Sequence, residues 1–196
     1  NAQSMSVVKD MKRLLDGEHP YIAIGEVGMD LYWDKTYLKE QQRVFDEQIQ
    51  WALEYQLPLV IHCREAFPEL FEVLRLYKDT NLSGVFHSFT GTQDEANELM
   101  EYTRFMIGVN GVVTFKKSSL PGILQSIPLN RLVLETDSPY LAPTPYRGKR
   151  NESSYIVKVA EKLAEVYSVD VEDIKKKTTQ NALKVFKRAD KVFKVY

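Results

Sequence analysis

Five short, almost wholly apolar runs punctuate the sequence: "YIAIGE", "PLVIHC", "GVFHSF", "RFMIGVN" and "RLVLET". Strands of this kind have no solvent face, so both of their faces must be covered. The stretches between them carry helical periodicity. In "YLKEQQRVFDEQIQWALEYQ", Phe45, Ile49 and Leu53 recur at i, i+4 and i+8 and predict one buried helix face. Further helices are predicted over Val7–Leu15, Pro68–Tyr77, Asp94–Glu101 and Leu120–Ile127, with Gly17 closing the first as a C-cap. A polar loop, Ser138 to Glu152, follows the last run, and only helices follow the loop. Strands alternating with helices imply a parallel sheet, either a (β/α)8 barrel or an open doubly wound sheet. "IGEVGMD" follows neither the dinucleotide nor the P-loop glycine pattern, which argues against nucleotide binding.

At 196 residues the chain suits a single domain over 1–196, with no low-complexity linker to divide it. The net charge of −1 argues against non-specific nucleic-acid binding through bulk charge but leaves room for a local basic patch. Cys63 is the sole cysteine, so no intrachain disulfide can form and a cytoplasmic setting is expected. No apolar run nears the roughly 20 residues of a membrane span. The opening "NAQSMS" reads as an internal start rather than a folded element.

The ends of the apolar runs carry the chemistry. "YIAIGE" ends on Glu26, "PLVIH" on His62, "GVFH" on His87 and "RLVLETD" on Asp137. Singly, each has a plainer explanation: a rim histidine, a helix cap, a turn-forming Asp before Ser-Pro. Chance would scatter such residues over both ends of the strands, whereas all four fall at C-terminal ends, which in a barrel converge on one face. Two imidazoles and two carboxylates form a mixed set suited to one or two divalent ions, Mg²⁺, Mn²⁺ or Zn²⁺.

Beyond Asp137, "PYLAPTPYRGKRNESS" gathers Arg147, Lys149 and Arg150 in one loop, with Tyr140 and Tyr146 beside them. Alone this is a solvated basic loop; next to metal ligands it reads as a clamp for phosphate oxygens. Ser88, Phe89 and Thr90 of "HSFTG", with Trp33 and Tyr140, are expected to line the pocket. Cys63, directly after a ligand on its strand, points the other way and reads as packing. His19 lies before the first strand, away from that face.

"AIGEVGMDLYW", "LPLVIHCREA", "GVFHSFTG", "IGVNGVVTFK", "LVLETDSPYLAP" and "RGKRNE", in this order, resemble the TatD family of metal-dependent deoxyribonucleases over about Ile22 to Phe186. The resemblance implies a TIM-type α/β barrel of the metal-dependent hydrolase class acting on DNA phosphodiesters, often from the 3′ end. It carries the metal positions onto Glu26, His62, His87 and Asp137, with Glu26 between two ions, and a phosphate-binding role onto Arg64. For the reaction it suggests metal-assisted hydrolysis, Asp137 and Glu26 being the catalytic carboxylates and Arg64, Arg147, Lys149 and Arg150 holding phosphate.

The family's His-x-His pair is missing, since the histidines are His19, His62 and His87. The chain is therefore expected to lack the first two βα units. Intact, such a barrel is expected to be a monomer; with an open edge, to associate through it. Two other readings stand beside the nuclease: a hydrolase of a small ester or amide, and an inactive remnant that binds an anion.

Overall fold

The computed structural model describes residues 4–189. Residues 1–3 of the opening "NAQSMS" lie outside the described residues, while Ser4 to Ser6 already belong to a helix, contrary to expectation. The chain divides into two compact units: residues up to Val85 together with those from Val185, and Phe86–Lys184.

The strands are β1 (Ile24–Asp30), β2 (Leu59–Arg64), β3 (Gly84–Phe86), β4 (Phe105–Val109) and β5 (Leu132–Leu134). They follow one another in chain order in a five-stranded parallel sheet. Sequential order without a reversal is that of a TIM-type α/β barrel, of which these strands form part, and not of a doubly wound sheet.

The first unit holds helices α1 (Ser4–Lys12), α2 (Leu38–Tyr55) and α3 (Phe67–Leu74). Helix α2 packs on β1 and α3 on β2, with Phe45, Ile49, Leu59, Ile61, Leu70 and Phe71 nearly solvent-free. The buried residues of α2 are Phe45, Gln48, Ile49, Trp51 and Ala52, whereas Leu53 is only half-buried. At 3.6 residues per turn, position i+7 returns to within about 20° of i, while i+8 drifts by about 80°. The first and third helices also end sooner than periodicity suggested. Each tightens into a 3₁₀ turn, at Arg13–Leu15 and Arg75–Tyr77.

The second unit holds α4 (Gln93–Met100), α5 (Leu120–Leu124), α6 (Ile156–Tyr167) and most of α7 (Val171–Val185). Thr92 and Glu95 form a capping box at the start of α4. Arg131 closes its other end: the guanidinium donates to the carbonyls of Tyr102 at 2.7 Å, Phe105 at 2.8 Å, Met100 at 3.3 Å and Leu99 at 3.4 Å. Helix ends leave such carbonyls without intrahelical partners, so one side chain satisfies a whole turn. The Asn181 amide does the same for Leu129 and Leu132 before and within β5.

Candidate metal centre

Strand β1 does not stop at Glu26. It continues to Asp30, because Val27, Met29 and Leu31 still find apolar cover. The register against β2 shifts between Gly25 and Val27, which makes Glu26 the extra residue of a bulge and leaves it exposed. His62 likewise lies two residues inside β2 rather than at its end. The strand passes through Gly28 at φ +130°, where a Cβ would come within 2.1 Å of the His62 carbonyl oxygen.

Gly28 sits opposite His62, so Asp30, two residues on, shares that face. Its Oδ2 lies 3.0 Å from His62 Nε2, while its Oδ1 accepts the Tyr32 amide at 2.9 Å. Burial pushes the Asp30 carboxyl up, but the Tyr32 amide, the His62 ring and the Arg64 charge together bring it below the ordinary aspartate range. Gln41 fastens the Asp30 backbone on both sides, accepting its amide and donating to its carbonyl. An imidazole held by carboxylate at Nε2 presents Nδ1 to a ligand. The Arg64 guanidinium stacks over the Tyr32 ring at 3.6 Å, and Trp33, 83% exposed, meets Tyr32 edge-on. Cys63 is buried, as packing required.

In the second unit, His87 directly follows β3 and its side chain is only 12% exposed. Its Nδ1 lies 2.8 Å from Glu135 Oε2, and the other oxygen of Glu135 accepts the Ser88 amide at 2.5 Å. The Glu135 amide in turn donates to Val109, which fixes the carboxylate to the end of β4. Gly108 leaves the room: a Cβ there would stand 2.7 Å from Glu135 Oε2.

With Nδ1–H donated to Glu135, the Nε2 lone pair faces Asp137 Oδ1 at 3.4 Å. In that tautomer a cation between Nε2 and Oδ1 would satisfy both acceptors. Two tetrahedral ligands, each about 2.1 Å from an ion, stand about 3.4 Å apart, so the pair fits a divalent ion. Among the described residues no three His, Cys, Asp or Glu side chains gather closely enough to hold an ion by themselves.

Asp137 lies three residues beyond β5 with a left-handed φ of 57°, a conformation that costs a non-glycine residue of order 1–3 kcal/mol. Ser88 is held similarly, at φ 48°. Asn151 keeps the Asp137 loop in place: its amide nitrogen donates to Thr136 at 2.7 Å and to Tyr140 at 2.6 Å, and its backbone N–H to Pro139 at 3.0 Å. Asn110 donates to the Ser88 hydroxyl at 2.7 Å and accepts the Val112 amide at 3.1 Å. Of the residues expected to line a pocket, Phe89 is buried, Ser88 half-buried, and Thr90 and Tyr140 exposed. Arg147, Lys149 and Arg150 are exposed on the loop, with Arg147 flat over Phe115 at 3.5 Å and Tyr146 stacked on Tyr155.

Four residues with evident roles escaped the sequence reading: Asp30, Asn110, Glu135 and Asn151. Two had a signal in the alternation of strand side chains, since Glu135 stands two before Asp137 and Asp30 ends the run that holds Glu26.

A parallel sheet of barrel type carries carboxylate-oriented histidines within and just past its strands, and the relatives it resembles are metal-dependent hydrolases. The chain belongs to the family described as TatD related DNase, whose profile it matches over residues 1–187. It is 40% identical to the uncharacterized metal-dependent hydrolase YabD of Bacillus subtilis (strain 168) over 174 residues, 88% of this chain and 68% of that protein. It is 35% identical to the 3′-5′ ssDNA/RNA exonuclease TatD of Cronobacter sakazakii over 181 residues, 89% of this chain and 68% of that one. The crystal structure of YJJV, a TatD homologue from Escherichia coli K12, superposes with a TM-score of 0.85 at 26% identity, covering 94% of this chain and 71% of that one. The chain thus spans about two thirds of the length of the curated relatives it matches. Among the described residues no helix is long and apolar enough to cross a membrane.

Proposed function

We propose that the chain is a divalent-metal-dependent nuclease that hydrolyses DNA phosphodiester bonds from the 3′ end. One observation carries most weight: His87 is held at Nδ1 by Glu135 with its Nε2 3.4 Å from Asp137 Oδ1. A relative at 35% identity named as a 3′-5′ exonuclease supports the substrate class.

In this reading Glu26 and His62 in the first unit, and His87 and Asp137 in the second, serve as ligands for one or two divalent ions, and Asp30 and Glu135 orient the two imidazoles. The ion, when bound, supplies Lewis acidity toward water and a phosphoryl oxygen. The Asp137 carboxylate accepts a proton from the attacking water, held to its task by the loop that Asn151 pins. Glu26, at the bulge, is the other catalytic carboxylate. Arg147, Lys149 and Arg150 bind phosphate oxygens, as does Arg64 on its Tyr32 platform.

The test is digestion of a 5′-labelled single-stranded DNA with Mg²⁺, with chelator, and by the Glu26→Gln variant. A ladder shortening from the 3′ end, lost with chelator and with the substitution, is the expected result. Cleavage that persists in chelator, or hydrolysis of a p-nitrophenyl ester with none of DNA, would overturn the proposal.

A further inference from the structure

The second unit contains a surface cleft of about 470 Å³ that shares only Arg147 with the residues of the proposed chemistry. One wall is the segment after β4, with Phe115, Lys116, Lys117 and Ser118; the other is the loop after β5, with Thr144 and Arg147. The walls are tied to each other. The Thr144 amide donates to the Thr114 hydroxyl at 2.8 Å, and the Thr144 hydroxyl to the Thr114 carbonyl at 3.2 Å. Gly111 fits so closely beneath Leu141 that a Cβ would reach its carbonyl oxygen. The cleft is therefore built before any ligand arrives.

Its charge is one-sided. Three cations line it and no carboxylate does. Among the described residues, none of Lys116, Lys117 and Arg147 is ion-paired, although the chain as a whole carries −1. Like charges gathered without counter-ions repel, and a concave wall concentrates their field on an anion. Arg147 already lies flat on Phe115, a guanidinium–aromatic stack of the kind against which nucleobases pack. The volume suits a single nucleotide, within the range of small-molecule sites.

We infer that this cleft is a strand-holding subsite for single-stranded nucleic acid, distinct from the bond-breaking residues. Lys116 and Lys117 grip a phosphate with Arg147, and the base rests on the Arg147–Phe115 stack. The inference deepens the nuclease reading and rests on it for the substrate class. It predicts that Lys116 and Lys117, both exposed, govern KM on oligonucleotides through strand affinity.

The test measures the anisotropy of fluorescein-labelled dT10 and rU10 with the full chain in chelator, where no turnover intervenes. The Lys116→Gln/Lys117→Gln variant should bind both at least tenfold more weakly. Its log–log salt slope should fall by about 0.7, the value for one lost phosphate contact. A control, Lys176→Gln/Lys177→Gln on α7, should bind like the parent. No binding of dT10 or rU10 by the parent, an unchanged slope, or an equal loss in the control would overturn the subsite. A loss for dT10 alone would overturn the phosphate-and-stacking mode. If the parent binds as expected yet cuts nothing with Mg²⁺, the nuclease reading falls and the strand-holding cleft stands.

Discussion

Glu135 holds His87 by Nδ1 at 2.8 Å and receives the Ser88 amide on its other oxygen, so one carboxylate sets both a ring and the backbone beside it. Glu135→Gln removes the charge that fixes the tautomer while keeping the shape. Outer partners of ligating histidines are typically worth 10–100-fold in affinity or activity. The expected outcome is a loss of that size in kcat/KM and in metal affinity, read by calorimetric titration, with the melting temperature little changed. Gly108→Ala should act in the same direction, because its methyl group would displace Glu135. Full activity in both variants would refute the orienting role.

Gly28 predicts a structural result. Gly28→Ala would set a methyl group 2.1 Å from the His62 carbonyl at a φ that L-residues avoid. Because backbone cannot yield as a side chain does, the loss of stability should be about 3 kcal/mol or more. Urea unfolding measures it; a change below 1 kcal/mol would contradict the close approach of β1 and β2.

Arg131 is half-buried, and burial lowers its pKa, yet its four carbonyl partners offset that cost. Arg131→Met leaves a turn of carbonyls without donors and should destabilise by about 2–4 kcal/mol, from the range for charged hydrogen bonds and for buried groups left unsatisfied. Arg131→Lys keeps charge but cannot span the fork, so it should fall between. A Lys variant as stable as the parent would show that charge alone suffices.

Tyr77 governs an alkaline limb. Burial first, then its 2.6 Å bond to Asp46, push the phenol up to about 12. A folded value above the unfolded value of about 10 means its stabilisation is complete below pH 10 and is lost as pH rises through 12. Tyr77→Phe should cost about 1 kcal/mol at neutral pH, the net worth of one hydrogen bond. It should also flatten the fall between pH 10 and 12. Tyr167, also raised by burial, remains in both proteins, so the difference between them is the informative quantity. Parallel pH curves would refute the assignment.

The alternation of apolar runs and helices was legible because each period is set by local geometry, and all five strands lie where those runs are. Positions within strands were not. Gly28 resembles a breaker in sequence, whereas in the fold its missing Cβ lets β1 continue past Glu26 beside His62. Glu135, Asp30 and Asn151 were missed for another reason. Asp30 and Glu135 kept only the strand alternation as a signal, their partners being 32 and 48 residues away, and a side chain that bonds a carbonyl, as Asn151 does, leaves no pattern in a row of letters. The Arg131 clamp is of the same kind.

Asn151 bonds to Thr136, Pro139 and Tyr140, closing the segment that bears Asp137 into a tethered ring. The configurational freedom of that segment is surrendered when the chain folds, at a cost that grows only logarithmically with ring size. Little is then left for an arriving ligand to freeze around Asp137, so its carboxylate keeps one posture from one encounter to the next.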